Sequence, residues 1–111
     1  MLNTLSKETL RIVFMGTPEF AVASLKALLE NGFNVVAAVT APDKPGGRGM
    51  HLQQSAVKQF AVANNIPVLQ PVKLKDPAFI SEMQALQVDL NIVVAFRMLP
   101  EIIWNMPPLG T

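Results

Sequence analysis

A segment rich in glycine and basic residues, APDKPGGRGM at positions 41–50, carries the residue types most suggestive of chemistry. Half of the chain's six glycines lie in it, together with Lys44 and Arg48. Arginine binds phosphate through paired hydrogen bonds, and glycine lets a backbone approach a ligand closely. The segment, called the basic loop below and taken as residues 41–52, therefore predicts phosphate contacts. Proline and glycine also account for a mobile loop without function.

A second candidate is the turn GTPEF, which follows an apolar strand pattern and opens a helical one. Backbone amides at a helix N-terminus attract anions, so Gly16, Thr17 and Pro18 form a possible anion-binding turn. The turn lacks the GxGxxG pattern of dinucleotide sites, and it lacks the lysine and hydroxyl residue of a P-loop. A tight connection between strand and helix explains it equally well.

The remaining reactive side chains favour simpler explanations. His51 is the only histidine and has no partner ligand or nucleophile, so we expect a loop residue without a catalytic role. Ser55 and Lys58 have the SxxK spacing of some acyl enzymes, but a capping serine and an exposed lysine also account for it. The scattered carboxylates form no acid–base pair and are expected to be solvated, with a helix cap at the first: Asp76, Glu82, Asp89 and Glu101.

Composition limits the class of protein. The chain has 111 residues, the size of one ordinary domain, and 50% of them are hydrophobic. Its net charge of +1 cannot hold nucleic acid by an overall field, so any such attraction needs a local cluster. Cysteine is absent, as in many proteins of reducing compartments, and no apolar run reaches membrane-helix length. We expect a soluble, cytoplasmic chain with no membrane partner and no metal.

Strand and helix patterns alternate along the chain. Strands are predicted at residues 10–15, 34–40 and 88–96, with a further short strand bounded by Pro67 and Pro71. Helix starts are predicted from Thr17 as a cap with Pro18 behind it, from Ser55, and from Asp76. Gly32 has the place of a left-handed helix end, and a short helical turn is expected over residues 100–105.

This alternation predicts a doubly wound, Rossmann-like α/β fold: a mostly parallel sheet with helices on both faces. Ligands of such sheets bind beyond the carboxyl ends of the strands. Three connections should meet there: residues 16–19, the basic loop and residues 96–99. The segment 88–96 is the most apolar, so we expect it to be the most buried strand. Arg97 directly after it indicates either a charged rim or part of a ligand wall.

The last residues, MPPLGT, resemble the approach to a further strand. A sheet that ends with residues 88–95 would leave an apolar strand edge unpaired. We therefore expect the chain to be part of a longer protein and to self-associate through this edge when isolated.

Five segments together resemble the N-terminal part of bacterial methionyl-tRNA formyltransferases: RIVFMGTPEFA, VTAPDKPGGRG, QQSAVKQFA, IPVLQPVKL and DLNIVVAF followed by LP. The resemblance extends over residues 11–111, and GTPEFA and DKPGGRG are its most specific parts. It implies transfer of a formyl group from 10-formyltetrahydrofolate to methionyl initiator tRNA. It also implies that residues 1–9 are an extension, that residues 10–111 begin the catalytic domain, and that a C-terminal β-barrel domain helps to hold tRNA.

The resemblance also implies residue roles. In the family the basic loop inserts against the tRNA acceptor end, which makes four residues candidate tRNA contacts: Lys44, Gly47, Arg48 and Gly49. Gly16, Thr17 and Pro18 would lie on the acceptor side. The segment at the end of the predicted strand 88–96 is more similar to glycinamide ribonucleotide formyltransferase, where the corresponding wall surrounds the folate. Four residues are therefore candidate donor contacts: Phe96, Arg97, Met98 and Leu99.

The family's catalytic asparagine, histidine and aspartate match no residue of this chain, and His51 does not correspond to that histidine. We therefore expect no catalytic residue here and no turnover by the 111 residues alone, whereas the full enzyme is expected to be a monomer. Three alternatives stay open: a formyltransferase for glycinamide ribonucleotide or an amino-sugar nucleotide, a nucleotide-binding Rossmann module, and a non-catalytic interaction module. The Rossmann module would need an acidic residue at the tip of the second strand, but Asp43 lies later, inside the loop.

Overall fold

The computed structural model describes residues 9–45, 52–94, 96, 99, 101–108 and 111. Strands and helices alternate within this part of the chain, as the apolar patterns predict. The strands are β1 (Arg11–Gly16), β2 (Asn34–Val39), β3 (Lys44–Pro45), β4 (Leu52–Gln53), β5 (Val68–Leu69) and β6 (Leu90–Val94). The helices are α1 (Glu19–Glu30), α2 (Ala56–Ala63), α3 (Pro77–Ala85) and α4 (Glu101–Trp104).

Four strands form one parallel sheet in the order β5-β2-β1-β6. The chain steps outward from β1 to β2 and β5, and then returns to the other side of β1 to form β6. This reversal makes β1 and β6 the neighbours at the topological switch point, where ligands of doubly wound sheets bind beyond the carboxyl ends. The predicted α/β fold is confirmed.

Apolar side chains cover both faces of the sheet. One cluster joins the sheet to α1 and α2 and includes Phe14, Ala21, Leu25, Val35, Ala38, Val57, Ala61 and Ile66. The other joins it to α3 and α4 and includes Val13, Met15, Ala37, Val39, Phe79, Met83, Val88 and Ile103. The register between β1 and β2 shifts after Ile12, which skips one residue of β2. This shift places Val35 and Ala38 on the same face although they are an odd number of positions apart.

Two of the three predicted helix starts have the side-chain capping bond that the sequence predicts. Ser55 Oγ accepts the Lys58 amide at 3.0 Å, and an Asp76 carboxylate oxygen accepts the Ala78 amide at 2.9 Å. Gly32 has a φ of 80°, the left-handed conformation expected after a helix. The cap at Thr17 is wrong: α1 begins at Glu19, so Pro18 occupies the cap position and makes no side-chain capping bond.

The expectation that residues 88–96 form the most buried strand is also wrong. Only Asn91 among the five residues of β6 is buried, and Val93 is 37% exposed. Among the described strands β6 is outermost, with β1 on one side only. An apolar sequence does not distinguish such an edge strand from a central one, because composition reports hydrophobicity and not the number of neighbours.

Two shorter elements complete the described part of the chain. The short strand predicted between Pro67 and Pro71 is confirmed as the two residues of β5. The expected turn at residues 100–105 contains α4, while Pro100 lies outside the described residues. Among the helices described, none combines the length and apolar composition that a membrane crossing requires.

Among the described strands β6 pairs on one side only, which predicts that the isolated chain self-associates by strand pairing. A lysine on an exposed edge disfavours such pairing. We therefore expect Val93→Lys to lower the mass measured by light scattering at high protein concentration. Val62→Lys, at an exposed valine of α2, is the matched control and should leave the mass unchanged. A monomer for the unsubstituted chain at the same concentration would contradict the prediction.

Candidate functional site at the carboxyl edge of the sheet

Gly16 ends β1 in a position that has no room for a side chain. A Cβ atom there would lie 2.7 Å from the carbonyl oxygen of Val94 and 3.1 Å from the Cβ of Ala21. The end of β1 therefore packs directly against β6 and against the first turn of α1. Close packing gives the GTPEF turn a structural reason for its glycine, whether or not the turn also binds an anion.

The turn after Gly16 faces the base of the basic loop across a small cleft. The cleft has a volume of about 150 Å³ and is lined by Thr17, Ala41, Pro42, Gln53, Gln54 and Ser55. Two of the three predicted connections thus meet at one end of the sheet. The cleft is bounded on one side by the turn after β1 and on the other by both ends of the loop.

The base of the basic loop is a hairpin, which sequence reasoning missed. Lys44 in β3 pairs with Gln53 in β4, and Pro45 pairs with Leu52, in antiparallel register. Strands of two residues are too short to show an alternating pattern, so proline and glycine gave the only local signal, that of a turn. The residues between the strands lie outside the described part of the chain, including Gly47, Arg48, Gly49 and His51.

A carboxylate at the foot of this hairpin is bound by two other elements. Lys58 Nζ, from α2, donates to Asp43 Oδ2 at 2.7 Å. Gln70 Nε2, which follows β5, donates to Asp43 Oδ1 at 2.7 Å and to the carbonyl oxygen of Ala41 at 3.1 Å. We call the side chains of Asp43, Lys58 and Gln70 the loop clamp. The sequence gives no sign of this clamp, because Asp43 stands out there only as an acidic residue that lies too late after the second strand to bind a ribose.

A second contact joins the chain segments before and after the hairpin. Thr40 Oγ1, which is fully buried, lies 2.6 Å from Ser55 Oγ. Ser55 therefore caps α2 and also holds the end of β2. This arrangement argues against an acyl-enzyme role for Ser55 and Lys58. Lys58 Nζ is bound to Asp43, and Ser55 Oγ is hydrogen-bonded to Thr40 and to the Lys58 amide.

The loop clamp shifts the titration of its carboxylate. The hydrogen bond from Lys58, followed by that from Gln70, holds the pKa of Asp43 below its ordinary value. The Asp43 and Lys58 side chains are only 18% and 17% exposed, so solvent reaches the pair in part. Asp43 is therefore charged at neutral pH, and its charge is compensated locally.

The other carboxylates divide into two groups. Asp76 is the expected helix cap, and Glu82 and Glu101 are exposed as predicted. Asp89 is not simply solvated: it is half-buried, its Oδ2 accepts the Arg11 amide at 2.8 Å, and its own amide donates to the Arg11 carbonyl at 2.8 Å. This reciprocal pair aligns the starts of β1 and β6. Among the described residues no cluster of three or more His, Cys, Asp or Glu could hold a metal ion.

The third predicted connection places its described side chains against the core. Phe96 and Leu99 are half-buried and pack on the cluster beneath α3 and α4. Arg97 and Met98 lie outside the described residues. Contact of these four residues with a formyl donor stays a prediction.

A buried side chain of β6 forms a further link that sequence reasoning missed. Asn91 donates from Nδ2 to the Ile103 carbonyl at 3.3 Å and to Thr111 Oγ1 at 3.2 Å.

Comparison with known proteins adds the family. The sequence profile of a family described as Formyl transferase matches residues 10–111, nearly the whole chain. The chain belongs to the formyl transferase family. The matched region includes the turn after Gly16, the basic loop and the sheet that positions them.

Curated relatives carry a more specific name. The chain is 67% identical over 108 residues to a methionyl-tRNA formyltransferase of Parabacteroides distasonis, covering 96% of this chain and 33% of the relative. It is 60% identical over 107 residues to the protein of the same name from Bacteroides thetaiotaomicron, and 52% identical over 107 residues to that of Porphyromonas gingivalis, with the same two coverages. The chain thus spans about a third of the length of these relatives.

The packing at Gly16 predicts a stability cost for the smallest possible side chain. In Gly16→Ala the new methyl group would press on the backbone of β6, so we expect a loss of about 1–3 kcal/mol in the free energy of unfolding. Urea unfolding followed by circular dichroism measures it. The control Ser81→Ala, at an exposed position of α3, should change the free energy by less than about 0.5 kcal/mol. Equal stability of Gly16→Ala and the parent would show that β6 yields at this point.

The lowered pKa of Asp43 predicts a pH dependence of stability. A carboxyl whose pKa falls on folding stabilises the fold above its unfolded value of about 4, and this contribution is lost as pH falls through the lowered pKa. We expect Asp43→Asn to unfold at lower urea than the parent at pH 7. The two should converge as the pH drops below about 4. A difference that stays constant through this range would contradict the assignment.

Proposed function

We propose that this chain forms the N-terminal part of the catalytic domain of an enzyme that transfers a formyl group to the amino group of methionyl initiator tRNA. The formyl donor in this proposal is 10-formyltetrahydrofolate. The observation that carries the proposal is the hairpin base of the basic loop, fixed at the carboxyl edge of a sheet whose family is that of formyl transferases. The relatives' shared name, methionyl-tRNA formyltransferase, indicates the acceptor.

In this proposal the basic loop contacts the acceptor end of the tRNA. Lys44 and Arg48 supply positive charge, and Gly47 and Gly49 allow the backbone to approach phosphate closely. The chain as a whole has a net charge of only +1, so a local basic cluster is needed to attract a polyanion. A small acceptor would give no reason for so long a loop, which favours tRNA over glycinamide ribonucleotide or a nucleotide sugar.

The turn after β1 lies on the acceptor side of the proposed site. Gly16, Thr17 and Pro18 immediately precede α1, and Thr17 lines the cleft shared with the base of the basic loop. An acceptor held by the loop would therefore extend towards the end of β1. The cleft of about 150 Å³ fits part of a small group and not a whole nucleotide, so it would position only the terminus of the acceptor.

The donor is proposed to lie against the segment after β6. Phe96 and Leu99 follow that strand at the same edge of the sheet, and both are half-buried and apolar, as the wall of a site for a flat aromatic ring requires. Arg97 and Met98 complete the proposed wall. When bound, 10-formyltetrahydrofolate supplies the formyl group, and these residues would hold and orient it.

The chemistry itself requires groups other than those described. Formyl transfer needs a deprotonated amine and a donor of hydrogen bonds to the developing oxyanion. Asp43 and Lys58 neutralise each other, and Asp89 is bound to β1, so neither of these two carboxylates is placed as a general base. The 111 residues are therefore proposed to bind and position, with residues 1–9 as an extension. The complete enzyme is proposed to act as a monomer in the cytoplasm, where initiator tRNA is used.

A chimera tests the proposal directly. The chain would replace the matching third of the Parabacteroides distasonis enzyme, to which it is 67% identical over 108 residues. We expect the chimera to formylate methionyl-tRNA and the 111 residues alone to show no turnover. Arg48→Ala in the chimera should raise KM for methionyl-tRNA about tenfold or more, because a charge-assisted hydrogen bond to phosphate is lost. KM for the formyl donor should stay within about twofold.

Lys26→Ala, which removes an exposed positive charge from the second half of α1, is the matched control and should behave as the parent chimera. An inactive chimera would overturn the proposed reaction. Equal losses for tRNA and donor in Arg48→Ala would mean that the basic loop does not select the acceptor.

A further inference from the structure

We propose that Asp43 is a positioning residue that fixes the foot of the basic loop and thereby determines how well the enzyme uses its macromolecular acceptor. This inference rests on the proposed function. Its physical basis is the loop clamp, in which Lys58 and Gln70 each bind one oxygen of the Asp43 carboxylate at 2.7 Å.

The clamp joins three separate elements at the point where the chain leaves the sheet. Asp43 directly precedes β3, Lys58 lies on α2, and Gln70 follows β5. Gln70 also holds the carbonyl oxygen of Ala41 at 3.1 Å, so both the side chain and the backbone of the loop foot are fixed. With both carboxylate oxygens bound, the carboxylate is restricted in rotation as well as in position.

A second hydrogen bond fixes the other end of the hairpin to the same helix, α2. Thr40 and Ser55 are linked at 2.6 Å, which joins the residue before the loop foot to the residue that opens α2. The two short strands therefore leave the sheet from a base that is held on both sides. A loop whose base is already ordered loses less conformational freedom when its ligand binds, and this lowers the cost of binding.

Removing the charge of Asp43 tests the inference, because two explanations predict opposite changes in the use of tRNA. A carboxylate beside a loop that meets phosphate is unfavourable in simple electrostatic terms, so removing its charge should strengthen the use of tRNA. A positioning role predicts the opposite. Asn at this position keeps the size of the side chain but replaces one acceptor oxygen by a donor, which faces either Lys58 or Gln70 and breaks one arm of the clamp.

The experiment uses the active chimera. We expect Asp43→Asn to raise KM for methionyl-tRNA about tenfold, while kcat at saturating tRNA and KM for the formyl donor stay within about twofold. Glu82→Gln is the control, because it removes the same charge from an exposed position of α3 on the opposite face of the sheet. A KM for tRNA that is unchanged or lower in Asp43→Asn would overturn the proposal.

A double-mutant cycle separates the clamp from direct contacts with tRNA. If Lys58 acts through Asp43, Asp43→Asn combined with Lys58→Met should be no worse than the more affected single variant. In Lys58→Met alone, KM for methionyl-tRNA should depend on salt concentration as it does in the parent, because loss of a phosphate contact would make that dependence less steep. Multiplying effects, or a reduced slope for Lys58→Met, would show that Lys58 binds the acceptor itself and would overturn the clamp.

Gln70→Met provides a variant that keeps the Asp43–Lys58 ion pair, for use if Asp43→Asn does not fold. It should raise KM for tRNA in the same direction and spare the donor; an unchanged KM for tRNA would count against the proposal. The unsubstituted chimera separates the two levels of inference. If it fails to formylate methionyl-tRNA, the proposed function fails, whereas an active chimera with an insensitive Asp43 overturns only the role of the clamp.

Discussion

The close approach of β1 to β6 at Gly16 is the constraint on which the carboxyl edge of the sheet depends. A Cβ at this position would lie 2.7 Å from the Val94 carbonyl oxygen, well inside the normal contact distance. Because glycine permits this contact, β1 can turn into α1 without separating from β6, the strand at the switch point. The turn after Gly16 then faces the foot of the basic loop, and the cleft between them follows from this packing.

Polar bonds take over where the apolar core ends. Apolar side chains on both faces hold the sheet as far as Val39, but the next residue, Thr40, is buried and polar. A buried hydroxyl needs a partner, and Ser55 supplies one. Asp43 then binds α2 and the end of β5 through Lys58 and Gln70. The loop foot is thus fixed by directional bonds in a region where hydrophobic burial is no longer available.

The sequence predicted the fold better than the site, for physical reasons that particular residues show. Gly32, Ser55 and Asp76 act through neighbours a few positions away, so their roles as helix ends were recognisable. The clamp joins residues far apart in sequence, and nothing local to Asp43 indicates that Gln70 binds it. The edge position of residues 88–95 was expected, but the partial exposure of β6 was not, because an apolar composition does not report how many elements cover a strand.

The polar side chains near β6 show how a sheet edge can be specific as well as open. Asn91 is buried, yet within the described residues its Oδ1 has no hydrogen-bond partner, while its Nδ2 binds the end of α4 and Thr111. An unpaired buried oxygen costs about 1–3 kcal/mol, which an apolar residue of similar size would avoid. Its amide holds the end of α4 on the sheet, a function that no apolar side chain performs.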